Sequence, residues 1–161
     1  MTKAKPHIER RPPVLALDLG EKTVGVAVSD ELSITIKRLD PLKRSNWKEL
    51  LRNVANLIER FDAKTLVIGL PLSLDGVSRS AAEQVEKLAL NFARSLRLPV
   101  YLQDERLTSQ AARESLQEEG YDTPVIERLI DSEAARIILR DFLNNPDPVL
   151  AIAPESKLND T

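Results

Sequence analysis

Cysteine is absent from this chain of 161 residues, and histidine occurs once, as His7. The first absence removes disulfides, zinc–thiolate centres, iron–sulfur clusters and thiol nucleophiles, and it is compatible with a reducing compartment. The second leaves no imidazole for a Ser-His-Asp triad or a histidine-based metal site, because His7 lies in a polar leader ahead of Pro12 and Pro13, where chain order is weakest. An excess of positive charge is missing too: 23 Lys and Arg stand against 25 Asp and Glu, a net charge of −2. That argues against a uniformly basic nucleic-acid binder, so any grip on phosphate has to come from a local patch. No apolar run approaches the roughly 18 residues of a membrane span, and residues 1–11 hold no apolar signal-peptide core. We expect a cytoplasmic protein with no membrane partner, whose chemistry rests on carboxylates, hydroxyls, lysine and arginine.

The length suits a single domain of the usual ~100–200 residues. Residues 1–13 read as a flexible leader, 14–143 as the domain and 144–161, with Pro146, Pro148 and Pro154, as a tail. Val14 to Leu19 is apolar on both faces apart from Asp18, the pattern of a strand covered on both sides. Gly20 to Thr23 supplies a turn into a second strand, Val24 to Ser29, so the two predict an antiparallel hairpin. Ser33 to Leu39 predicts a third strand that stops before Pro41. From Asn46 the period changes, with Leu50, Leu51, Val54, Leu57, Ile58 and Phe61 at helical spacing behind an Asn46/Glu49 capping pair. A buried strand over Thr65 to Leu70, a loop over Pro71 to Ser80 and a helix on Ala81, Val85, Leu88, Ala89, Phe92 and Leu96 come next. Another strand starts at Val100 to Gln103, a third helix begins at Thr108 and ends near Gly120, and a fourth follows Pro124. The order β-β-β-α-β-α-β-α-α predicts an α/β fold, a mixed five-stranded sheet with helices on both faces, and matches ribonuclease-H-like topology.

Asp18 stands out, since a carboxylate inside an apolar strand carries a desolvation cost of several kcal/mol unless a cation offsets it or the strand ends there. Asp131 shares an inward helical stripe with Ala134, Ala135, Ile138 and Phe142, off which Glu127 and Glu133 fall as expected solvent-exposed acids. It lies too far past Pro124 for the helix dipole to account for it. Asp104 and Glu105 follow the strand from Val100, and two-residue alternation sends them to opposite faces. Only one of the two can face Asp18, and the alternation alone does not say which. Three converging carboxylates raise one another's pKa values unless cations neutralise them. All-oxygen donors suit Mg²⁺ or Mn²⁺, and a pair of such ions would activate water for phosphodiester hydrolysis. Trp47, at a helix start, reads as core packing rather than a base-stacking platform.

Four blocks in order complete the pattern: Leu15-Ala16-Leu17-Asp18-Leu19-Gly20 through Ala27, Val67-Ile68-Gly69-Leu70-Pro71 through Gly76, Asp104-Glu105-Arg106-Leu107-Thr108-Ser109, and Ile130-Asp131-Ser132-Glu133-Ala134-Ala135 with Ile138-Leu139. Over roughly Val14 to Leu143 the chain resembles the YqgF family, also called RuvX, a Holliday-junction-resolvase-like family linked to pre-16S rRNA processing. The resemblance implies a ribonuclease-H-like fold and a catalytic, metal-binding triad of Asp18, Glu105 and Asp131, choosing Glu105 over Asp104. It implies a nuclease acting on structured RNA, a ribosomal RNA precursor, with two Mg²⁺ or Mn²⁺ ions. Lys22, Arg79, Arg106 and Arg113, near the motif loops, are candidates for backbone-phosphate contact.

Other readings remain. The same carboxylate chemistry serves a resolvase of branched DNA, because substrate choice rests on shape and 2′-hydroxyl contacts. A nucleic-acid-binding protein without catalysis would keep the fold alone. A strand, Asp-Leu-Gly and a hairpin also open actin-like ATPases, but those clamp nucleotide between two lobes that this length does not accommodate. Monomer and homodimer are both open.

Overall fold

The computed structural model describes residues 10–71, 79–105 and 108–150. In chain order the elements are β1 (Val14–Leu19), β2 (Thr23–Ser29), β3 (Ile36–Lys43), α1 (Trp47–Phe61), β4 (Thr65–Pro71), α2 (Arg79–Leu96), β5 (Val100–Glu105), α3 (Thr108–Glu118), α4 (Thr123–Asn144) and β6 (Val149–Leu150). One sheet holds all six strands in the order β3-β2-β1-β4-β5-β6. The first three are antiparallel neighbours, β1, β4 and β5 run parallel, and β6 closes the far edge antiparallel to β5.

Among the described residues the sheet therefore has six strands rather than the expected five. Val149 and Leu150 pair with Leu102 and Tyr101, a contact too short to leave any periodicity in the sequence and lodged between prolines. Ahead of β1, Arg10 Nη1 donates to the carbonyls of Phe142 and Asn145 at 2.7 and 2.6 Å, at the C-terminal end of α4. β3 differs from expectation as well, starting at Ile36 and running through Pro41. Two facts permit that proline. β3 is an edge strand, and Val26 pairs with Leu39 while Val24 pairs with Leu42, so Asp40 and Pro41 face Gly25 alone in a β-bulge.

Strand alternation sorts the core into two layers. Leu15, Leu17, Val26, Val28, Leu66, Ile68, Val100 and Leu102 point toward α1 and α2, meeting Leu50, Val54, Val85, Ala89 and Phe92. Trp47 packs edge-on against Phe92, with centroids 4.8 Å apart, as core packing predicts. On the opposite face Val14, Ala16, Ala27, Val67 and Tyr101 meet Ala135, Ile138, Leu139 and Phe142 of α4. Toward Asp131 the side chains of β2 under α4 shrink to Ala27 and Gly25, which lets the helix backbone approach the sheet.

At Gly25 the approach is closest: a Cβ there would fall 1.9 Å from the Asp131 carbonyl oxygen and 3.0 Å from the Ser132 nitrogen. Both obstacles are backbone, so α4 would have to lift. Gly25→Ala is expected to cost about 2–3 kcal/mol of folding stability, measured by urea unfolding. A loss below ~0.5 kcal/mol would mean that the helix yields freely.

Glu133, expected at the surface, is fully buried. Arg38 of β3 reaches it at 3.1 Å, Arg136 pairs with it one turn along, and the Ser115 hydroxyl of α3 donates to it at 2.7 Å. Burial alone would push its pKa up, but the Arg136 and Ser115 hydrogen bonds and the charge of both arginines hold it below the usual carboxylate range. The expectation failed because α4 has two buried sides, the sheet on one and α3, through Ala112, Ala134 and Ile137, on another.

Candidate active site

Asp18, Gly25, Gly69 and Glu105 lie on four adjacent strands, and alternation sends all four to the α4 face. Asp18 shares the parity of Val14 and Ala16, Gly25 that of Ala27, Gly69 that of Val67, and Glu105 that of Tyr101. Asp104 takes the other parity and is exposed. Asp18 sits directly opposite Gly25 in the β1–β2 ladder. The main chain at Asp131 lies over that same glycine, which brings the helix carboxylate beside the strand carboxylate.

Glu105 comes from β5, two strands away from β1, and strand spacing puts their backbones roughly 9–10 Å apart. Its side chain crosses β4 where there is none to block it: a Cβ on Gly69 would lie 2.8 Å from Glu105 Oε2 and 2.5 Å from Ile138 Cδ1. The Glu105 and Asp18 carboxyls are hydrogen-bonded to each other. At Glu105 the ionised form is disfavoured. Burial first, then the Asp18 charge and the shared hydrogen bond, push its pKa up to about 9. Asp18 is raised too, by burial above all and then by the Asp131 charge, with the Glu105 hydrogen bond pulling the other way. Asp131 in turn accepts a hydrogen bond from the Thr23 hydroxyl of β2.

Among the described residues no three His, Cys, Asp or Glu side chains already surround a common point at metal-binding distance. Asp18 and Glu105 are paired with each other, and Asp131 is tied to Thr23. The donor chemistry nevertheless suits a hard divalent cation: every candidate ligand is a carboxylate oxygen. The upward pKa shifts of Asp18 and Glu105 also mark where positive charge would be stabilising. A cation there would hold both carboxylates ionised as ligands.

Of the candidate phosphate contacts, Lys22 is exposed in the β1–β2 turn, which Gly20 N–H to Thr23 O closes and Arg44 Nη1 braces by donating to the Gly20 carbonyl at 2.6 Å. Arg79 opens α2, and its side chain lies outside the described residues, as does Arg106. Arg113 is engaged with Glu127 at 2.9 Å. Thr23, Gly25 and Gly69 escaped the sequence reading of the site. The glycines carried a signal, since a glycine inside a strand often marks a close approach of other groups. Thr23 carried none.

The sheet order and the carboxylates at the carboxyl ends of its central strands define a ribonuclease-H-like α/β protein. The chain belongs to the RuvX family, whose model, described as Holliday junction resolvase, matches residues 12–145. A protein of Syntrophus aciditrophicus named "Putative pre-16S rRNA nuclease" is 36% identical over 131 residues, 81% of this chain and 87% of that protein. A protein of Gloeothece citriformis with the same name is 37% identical over 144 residues, 89% of this chain and 95% of its own length. Among solved structures, T. thermophilus RuvC in complex with a Holliday junction substrate superposes with a TM-score of 0.56 at 16% identity, over 85% of this chain and 98% of that one. That likeness concerns the fold.

Proposed function

We propose that this protein is a nuclease dependent on Mg²⁺ or Mn²⁺ that hydrolyses phosphodiester bonds of structured RNA, trimming the 5′ side of a ribosomal RNA precursor in the cytoplasm. The observation that carries the proposal is the hydrogen-bonded Asp18–Glu105 pair, with the Asp131 charge acting on it. The names borne by the relatives support the RNA substrate.

In this account Asp18, Glu105 and Asp131 hold the metal and are the catalytic residues. A bound divalent cation would supply the Lewis acidity that activates water and stabilises the leaving oxygen. Thr23 orients one Asp131 oxygen through its hydrogen bond. Gly69 keeps the path between Glu105 and Asp18 clear. Lys22, exposed beside the carboxyl end of β1, meets a backbone phosphate, with Arg79 and Arg106 as further candidate contacts. Arg113 would first have to release Glu127.

The description of the family model favours a second reading, a resolvase of four-way DNA junctions. One experiment separates the two. With Mn²⁺ the purified protein is expected to cut an RNA spanning the 5′ end of a small-subunit precursor and leave a four-way DNA junction intact. Junction cleavage with the RNA untouched would reverse the assignment. Binding of both without cleavage of either would point to a non-catalytic protein.

A further inference from the structure

Ser132, the residue after Asp131, is a buried helix serine that does not point back along its own helix. Its Oγ donates to the Leu39 carbonyl of β3 at 2.6 Å and accepts from the Val26 N–H of β2 at 3.4 Å. Val26 and Leu39 are register partners at the bulge that faces Gly25. A hydroxyl from α4 therefore bridges the two strands where their ladder is interrupted.

We propose that Ser132 is a positioning residue for Asp131. The bulge and Ser132 act together as a registration device. Hydrophobic contact between α4 and the sheet is non-directional, and by itself it does not fix the position of Asp131 over Gly25. Two hydrogen bonds to one fully buried hydroxyl are directional and do fix it. They fix the helix one residue from the Asp131 carboxylate, while Gly25 allows the close seat and Thr23 orients the carboxylate. Losing the hydroxyl would leave a buried carbonyl and a buried N–H to find each other across a widened ladder, and α4 would settle differently. The proposal rests on Asp131 being a metal ligand.

The test uses Ser132→Ala in the full chain. On metal-free protein, amide hydrogen exchange at Val26 should quicken about tenfold relative to Val67, reporting the opened bridge. Mn²⁺ affinity, read by calorimetry, should fall about 10–100-fold, the usual cost of removing a residue that orients a ligand. In cleavage, kcat should fall over that same range while KM stays within about twofold. In an Asp131→Asn background the same substitution should cost no further Mn²⁺ affinity, although it still speeds exchange at Val26. A Ser132→Ala protein with wild-type Mn²⁺ affinity and kcat overturns the proposal, however much faster Val26 exchanges, and so do additive losses in the Asp131→Asn background. Wild-type protein that binds Mn²⁺ but cuts no nucleic acid would contradict the nuclease reading instead, and the affinity comparison would still judge Ser132.

Discussion

Asp18→Asn is expected to abolish cleavage, lowering kcat by at least about 10³-fold, while nucleic-acid binding persists and the metal-free protein melts higher. The kinetic loss follows from position: Asp18 is the carboxylate between the other two, bonded to Glu105 and acted on by Asp131. Removing a single preorganised electrostatic contact at a reaction centre costs ~10²–10³-fold, and here the loss extends to the cation that the pair would share. The gain in stability follows from the same burial. A partly buried carboxylate facing two others is strained in the folded state, whereas an amide of the same shape keeps a hydrogen bond with Glu105 and carries no charge. Each kcal/mol relieved should raise the melting temperature by roughly 2–4 °C in a domain of this size. A variant that cuts like wild type would remove Asp18 from the site. One that loses activity by unfolding would show a lower melting temperature, not a higher one.

The metal-free protein should lose stability steadily from mildly acid to alkaline pH. Glu105 titrates near 9 folded, against 4.5 in an unperturbed chain. Below 4.5 both states hold the proton, and its full contribution to stability is present. Above that, the unfolded chain releases the proton while the fold keeps it, so stability falls at up to about 1.4 kcal/mol per pH unit until the folded group also ionises. Glu133 has the opposite sign: its folded pKa is depressed, so its contribution holds at neutral pH and is lost under acid. Together they give a maximum on the mildly acid side of neutral. Urea unfolding in EDTA at pH 5, 7 and 9 should show the alkaline decline, and Glu105→Gln should flatten it. Excess Mn²⁺ should cancel it, since the cation stabilises the ionised pair. A wild-type profile that is flat from pH 5 to 9 would mean Glu105 is ionised throughout.

How far these features were legible differed by residue for physical reasons. Asp18 and Asp131 were visible because each interrupts an apolar pattern, one in a strand and one on a helix stripe. Asp104 and Glu105 could not be separated by alternation alone, since parity needs a known neighbour. The resemblance selected Glu105, and in the fold Tyr101 on the same strand shows which face it takes. Glu133 was misread because a single amphipathic stripe assumes one buried side, and α4 has two. Gly25 admits the Asp131 main chain and Gly69 admits the Glu105 side chain, yet their importance lies in what is missing from them and appears only when neighbouring strands are in place. Pro41 misled about β3 because a proline at an edge-strand bulge costs little, and edges are not marked in a sequence. The small glycine count of five acquires meaning here, with two of the five directly at the site.

The most direct test is anomalous diffraction from crystals grown with Mn²⁺. The account predicts a peak within about 2.0–2.2 Å of carboxylate oxygens of both Asp18 and Glu105, with Asp131 turned toward it. No peak there at millimolar Mn²⁺, or a peak elsewhere with the Asp18–Glu105 hydrogen bond intact, would contradict it.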